Sequence, residues 1–238
     1  MTHIFAREII TYDYLKEILP ESEFSLIPDM AFMLEDVFEK NIVIEELKQK
    51  SNNVYGITVR QWNFPNSSNP KEMMENYIDS LTEFMDYQIE NHNSFVFAPQ
   101  VIVGYANDTD VAKKIRKKLK HPEGFLIIED DLSPVEIKTL ISNFDYFIGT
   151  RMHSNIFATS MGIPTIAIAY EKKTNGIMHT VDLDNYVIEM DQINIDILKE
   201  KANMQKDNDK QVRVELKINI KKIRQEILMK MERILIEV

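Results

Sequence analysis

The chain contains no cysteine, few glycines, a single tryptophan and no long apolar run. Without cysteine there is no disulfide framework, no thiolate metal site and no thiol nucleophile. With 6 glycines in 238 residues there is neither a G-x-G-x-x-G nor a G-x-x-x-x-G-K-[ST] element to cradle a phosphate by main-chain contacts. No apolar stretch approaches the ~18 residues of a membrane-spanning helix. The first residues lack the apolar core of a secretory leader, which points to the cytoplasm. Positive charge is also in deficit. Lys+Arg number 28 against 38 Asp+Glu, a net charge of −10. Such a surface argues against nucleic acid or an anionic membrane as partner, but it leaves room for a local basic pocket.

What is present is the make-up of a globular protein. Hydrophobic residues make up 44% and charged residues 28%, enough for a substantial core, and the length suits one large domain or two small ones. Short apolar runs alternate with helix-length periodic segments. Strands are expected at residues 3–6, 24–28, 54–59, 95–98, 125–128, 146–149, 165–170 and 186–189. Most are unbroken apolar runs, the mark of parallel strands covered on both faces. Helices are expected at 70–91, 111–119, 133–142 and 154–161. The third opens with Ser133, Pro134 and Glu136, a capping box with proline at the first helical position. The fourth stops at Gly162 with Pro164 beyond. Loops are expected at 63–69 and 206–210. Strands alternating with helices imply an α/β fold with a Rossmann-like parallel sheet flanked by helices. From about 211 onward Val212, Leu216, Ile220, Ile223, Ile227, Met231 and Leu235 form one apolar stripe, a long amphipathic helix.

One segment concentrates reactive side chains. A buried strand ends at Gly149; Thr150, Arg151, Met152, His153 and Ser154 follow, and a helix begins. Open α/β sheets bind ligands at the carboxyl ends of their strands, and a helix N-terminus there favours an anion. Arg151 offers a rigid fork for carboxylate or phosphate, and His153 is suited to proton transfer. The plainer alternative is that Arg151 pairs with a surface carboxylate and His153 caps the helix. After the next strand, Lys173 in the loop 170–176 is placed to reach the same crevice, or is simply solvated. Trp62 is read as covering the edge of the core, with stacking on a sugar ring as the functional alternative. Arg7 is read as a surface residue or a ligand. Asp108 and Asp110 are read as helix caps, the basic run 113–120 as a solvated helix face, and His179 as outside the crevice. Five scattered histidines give no metal-ligand spacing, so no metal is expected.

These residues also carry a resemblance. Ile148 to Ser154, Ala158, Gly162-Ile163-Pro164, Ala169-Tyr170, Lys173 and Gly176 resemble the C-terminal signature of the polysaccharide pyruvyl transferase family. Ala6-Arg7-Glu8, Pro28-Asp29 with Ala31-Phe32, Gly56 to Arg60, Gln100, Asp110 and Leu132-Ser133-Pro134 are similar to further elements of that family. The resemblance covers the chain to about residue 190. It implies a glycosyltransferase-B-like fold of two lobes. Residues 1–34 then read as a remnant of the first lobe and its connection, 35–205 as the Rossmann-like C-terminal lobe and 206–238 as the terminal helix. It implies transfer of a pyruvyl group from phosphoenolpyruvate, the donor substrate, to a sugar of a cell-surface polysaccharide, forming a ketal without a further cofactor. His153 is then the general acid. Arg60, Arg151 and Lys173 bind the donor, and Ser154 and Gly176 complete the implied substrate-binding set. The implied partners are phosphoenolpyruvate and a saccharide acceptor. If the first lobe is lacking, the terminal stripe is exposed, or is covered by a homo-oligomer or a separate N-terminal lobe. Two other readings remain: an enzyme of this architecture using a nucleotide-sugar donor, and a non-catalytic binding or assembly subunit.

Overall fold

The computed structural model describes residues 4–102 and 107–237, with side chains to residue 233. His3, where the first strand was expected to begin, and the Leu235 side chain lie outside the described residues. A small parallel pair, β1 (Ile4–Ala6) and β2 (Phe24–Leu26), is joined by helix α1 (Ile9–Ile18). A 3₁₀ turn at Met30–Met33 and helix α2 (Ile42–Lys48) lead into the main sheet. There β3 (Val54–Thr58), β4 (Ser94–Phe97), β5 (Phe125–Ile127), β6 (Tyr146–Gly149), β7 (Thr165–Ala169) and β8 (Val187–Glu189) are all parallel. The crossovers are α3 (Pro70–Glu90), α4 (Asp108–Lys118), α5 (Pro134–Ile141), α6 (Met152–Ser160) and α7 (Lys172–Thr180). Helices α8 (Ile195–Asp207) and α9 (Asp209–Glu237) close the chain.

The strand order among the described residues is β5-β4-β3-β6-β7-β8. The chain builds outward from β3 through β5, then returns to β3 and builds outward in the other direction from β6. Strand alternation sorts the core onto two faces. Tyr55, Ile57, Val59, Phe95, Phe97 and Ile148 pack with α3, α4 and α8. Val54, Val96 and Phe147 face the other side, where α5 and α6 lie. The expected strands are found, generally shorter by a residue at one end. Val59 and Tyr170 follow β3 and β7 without ladder partners of their own, though Val59 is fully buried. The basic run on α4 is solvent-facing but paired: Lys113 with Glu129, and Lys118 with Glu75 and Asp79.

Three local expectations are corrected. Residues 170–176 are not a loop, because α7 begins at Lys172 and buries Thr174, Ile177 and Met178. Residues 206–210 are nearly all helical. Asn208 alone separates α8 from α9, and its side-chain amide donates to the Met204 carbonyl at 2.8 Å. The terminal stripe is not exposed. Val212, Leu216, Ile220, Ile223 and Ile227 are buried against Ile27, Phe32, Ile156 and Ile177 of the same chain.

A buried ionic knot fixes α9 and α5 to the entry segment. Lys138, fully buried on α5, reaches Asp36 at 2.7 Å and the Leu34 carbonyl at 2.5 Å. Arg224 on α9 grips Asp36 with both nitrogens at 2.6 and 2.7 Å and donates to the Phe32 carbonyl. Burial works against the Asp36 charge, but the hydrogen bonds from Arg224 and Lys138 outweigh it and hold the carboxyl below its ordinary value. A depressed carboxyl contributes stability that is fully present above the unfolded-state value of 3.8 and is lost as pH falls through the lower folded value. The wild-type melting temperature should therefore fall more steeply than that of Asp36→Asn as pH drops below 3.8. Parallel melting curves for the two proteins would remove the ion pair from the account.

Candidate active site

β3 and β6 lie side by side where the strand order reverses, and a crevice opens beyond their carboxyl ends. The two strand ends are tied by buried hydroxyls. Thr58 Oγ1 accepts the Thr150 N–H at 3.1 Å and lies 2.9 Å from Ser154 Oγ. Ser154 Oγ in turn donates to the Arg151 carbonyl at 2.6 Å. From α3, the fully buried Tyr77 hydroxyl meets Thr150 Oγ1 at 2.8 Å and faces the Arg60 backbone N–H. Burial pushes the Tyr77 phenol far above its ordinary value, so it stays a neutral hydroxyl in this clamp. The turn after β6 needs glycine, since a Cβ on Gly149 would stand 1.8 Å from Asn155 Oδ1. Glycine lets α6 start hard against the strand.

A cavity of about 260 Å³ sits on this clamp, lined by Arg7, Arg60, Gln100, Arg151, His153 and Lys173, with Val101, Met152 and Tyr170. Among the described residues three arginines, a lysine and a histidine line it, and no carboxylate does. Each cation is held differently. Arg151 donates through Nε and a terminal nitrogen to the two oxygens of Asp108, at 2.9 and 2.6 Å. Asp108 is fully buried at the start of α4 and also accepts the Val101 N–H. Burial pushes its carboxyl up, and the Arg151 ion pair pulls against that shift. Arg60 is held by rings. Its guanidinium carbon lies 4.2 Å from the centre of Tyr170 and 4.9 Å from that of Trp62, and its buried Nε has no hydrogen-bond partner among the described residues. Lys173 pairs with Glu171 at 2.5 Å, and Arg7 with Asp29 at 3.0 Å. His153, the second residue of α6, is exposed on the rim. Arg151 at the helix N-cap makes no side-chain capping bond, so the first amides of α6 are not capped by it. The whole suits a compact ligand of more than one negative charge, met by forks of fixed orientation.

Of the residues expected at the site, Arg60, Arg151, His153 and Lys173 meet in this cavity. Ser154 and Gly176 do not reach its wall. Ser154 is fully buried with its hydroxyl spent on the Arg151 carbonyl, and Gly176 is a packing point where a Cβ would stand 1.9 Å from Glu8 Oε2. His179 lies away from the cavity, 3.0 Å from Asp184. Arg7, left open between surface and ligand roles, lines the cavity. Asp108 is not the helix cap. Asn107 takes that place, and Asp108 holds Arg151 instead. Trp62 is half-buried, its ring 4.7 Å from that of Tyr170. No motif or spacing marks Asp108 or Tyr77. Both partner residues far away in the chain, and only the fold brings them together. Among the described residues no cluster of three His, Asp or Glu side chains is placed to hold a metal ion, and no helix is long and apolar enough to cross a membrane.

Residues 2–172 match the model of a family described as polysaccharide pyruvyl transferase. The chain is similar to the amylovoran biosynthesis protein AmsJ of Erwinia amylovora, 29% identical over 79 residues, which is 33% of this chain and 19% of that protein. In fold it is similar to the UDP-GlcNAc 2-epimerase of Methanocaldococcus jannaschii, solved with UDP-GlcNAc and UDP. The TM-score is 0.58 at 16% identity, over 84% of this chain and 53% of the other. It is also similar to Staphylococcus aureus MnaA with UDP, at TM-score 0.56 and 14% identity, over 89% of this chain and 52% of the other. These likenesses establish a glycosyltransferase-B-like lobe, and the chain spans about half the length of those two structures.

Proposed function

Since the chain belongs to the polysaccharide pyruvyl transferase family, we propose that its basic cavity binds phosphoenolpyruvate and that the pyruvyl group passes to a saccharide of a cell-surface polysaccharide. One observation carries this reading: a cavity in which Arg7, Arg60, Arg151 and Lys173 converge beside His153, with no carboxylate among the described residues that line it. Phosphoenolpyruvate bears a carboxylate and a phosphate on a three-carbon frame, small enough for about 260 Å³. The two forks, Arg60 fixed by its rings and Arg151 fixed by Asp108, suit the two anionic groups.

The chemistry follows from that placement. His153 gives a proton to the methylene carbon of the enol, which becomes a methyl group. The neighbouring carbon turns electrophilic and takes a sugar hydroxyl oxygen. Its bond to the phosphate oxygen breaks, and phosphate leaves. A second hydroxyl of the same sugar then closes the ketal. Of the two hydroxyl protons released, one replaces that given by His153 and the other leaves with phosphate. The cations lower the cost of charge gathering on the departing phosphate. We set the reaction in the cytoplasm, where the donor is available. The family match and the amylovoran relative support a polysaccharide substrate.

Thermal denaturation with and without phosphoenolpyruvate tests the donor. Wild type should be protected in a saturable way, and Arg151→Ala should need about 10- to 100-fold more ligand, as expected for loss of hydrogen bonds to a charged group. Protection by uridine diphosphate but not by phosphoenolpyruvate would turn the reading toward a nucleotide-sugar donor.

A further inference from the structure

A second cavity adjoins the first across Tyr170. It measures about 650 Å³, more than twice the basic cavity, and lies beyond the carboxyl ends of β7 and β8. Tyr170 lines both cavities. Charge divides sharply at that ring. Among the described residues, the charged side chains of the smaller cavity are all cationic, whereas the larger has Glu171, Glu189 and Asp191 against the one cation Lys172. Its apolar wall comes from Trp62, Phe64 and Met73. Phe64 holds a left-handed backbone, φ 42°, and buries its ring in the core. This strained residue pins the loop that carries Asn66 and Ser67 along the cavity edge.

We propose that this larger cavity is the acceptor subsite and takes a neutral pyranose. The assignment rests on the donor reading given above. A second anion would be repelled by three carboxylates, so a nucleoside diphosphate fits poorly. A neutral ring with many hydroxyls fits well. Its C–H face finds the indole and phenol rings, and its hydroxyls donate to Glu171, Glu189 and Asp191. The contact across Tyr170 puts such a ring next to the electrophilic carbon of a donor held by Arg60 and Arg151. Glu171 sits on the boundary, because it lines the larger cavity while pairing at 2.5 Å with Lys173 of the smaller.

Trp62 is the only tryptophan, so all indole emission comes from this wall, where the ring also lies against Arg60 of the smaller cavity. The purified chain is titrated with the methyl glycosides of glucose, galactose and N-acetylmannosamine, and separately with uridine diphosphate. At least one glycoside should give a saturable change in Trp62 emission. That response should survive in Arg151→Ala and weaken about tenfold in Asp191→Asn, an exposed conservative change, and in Glu171→Gln. Failure of every glycoside to give a saturable response overturns the proposal. So does a uridine diphosphate response that survives in Arg151→Ala and is displaced by no sugar. Thermal protection by phosphoenolpyruvate is read on the same samples. Its absence in wild type with the glycoside response intact overturns the donor reading and leaves the sugar subsite standing.

Discussion

The His153→Ala protein is expected to bind phosphoenolpyruvate as wild type does and yet to transfer the pyruvyl group about 10²- to 10⁴-fold more slowly. Binding and chemistry separate at this residue for a structural reason. His153 is exposed on the rim and, among the described residues, makes no hydrogen bond or ion pair that holds the cavity together, whereas Arg60 and Arg151 are locked by rings and by Asp108. Removing the imidazole takes away a proton donor and leaves the anion seat intact. Single-turnover transfer to a saccharide acceptor, set beside thermal protection by the donor, reads both quantities. Partial rescue by added imidazole would identify the missing function as proton transfer. Full activity in His153→Ala would end the general-acid assignment.

Asp108→Ala is expected to lower stability by about 3–5 kcal/mol, the usual cost of removing one partner of a buried ion pair. For a domain of this size that is a fall of roughly 10 °C in melting temperature. The pair is asymmetric. When Arg151 is removed, Asp108 can take up a proton, and burial already pushes its carboxyl in that direction. When Asp108 is removed, the guanidinium left behind cannot shed its charge. Asp108→Ala should therefore melt lower than Arg151→Ala, although both bind the donor more weakly. The double variant Asp108→Asn with Arg151→Met should recover much of the stability and none of the binding. Differential scanning calorimetry of the set decides the point. Equal melting temperatures for Asp108→Ala and wild type would show that the ion pair does not support the fold.

Much of the architecture is legible in the residues alone. The run Tyr146 to Gly149 is the observed β6, and Ser133, Pro134 and Glu136 form the expected capping box. Such features rest on neighbours in sequence, where pattern is informative. The helix at 172–180 was not legible, because glycine, asparagine and two lysines hide a buried side made of Thr174, Ile177 and Met178. At the site, Arg151 and His153 stand out because a strand ends and a helix begins around them. Asp108 does not. Its carboxylate looks like any charge in a first helical turn until β3 and β6 meet and Arg151 swings beside it. The fate of the terminal stripe was likewise a tertiary matter. Nothing in its periodicity says that Phe32 and Ile27, nearly the whole chain away, will cover it.

The hydroxyl clamp beneath the cavity also bears on how the chain folds in time. Thr58 meets Ser154 across 96 residues of chain, Tyr77 meets Thr150 across 73, and Asp108 meets Arg151 across 43. Each closes a long loop whose entropy cost falls due before the contact repays it. The segment from β3 through β5 pairs among near neighbours and can order first, whereas the anion seat exists only once β6 has docked on β3. Refolding followed by donor binding should therefore lag behind refolding followed by helix content, with ligand competence arriving as the last event on the pathway.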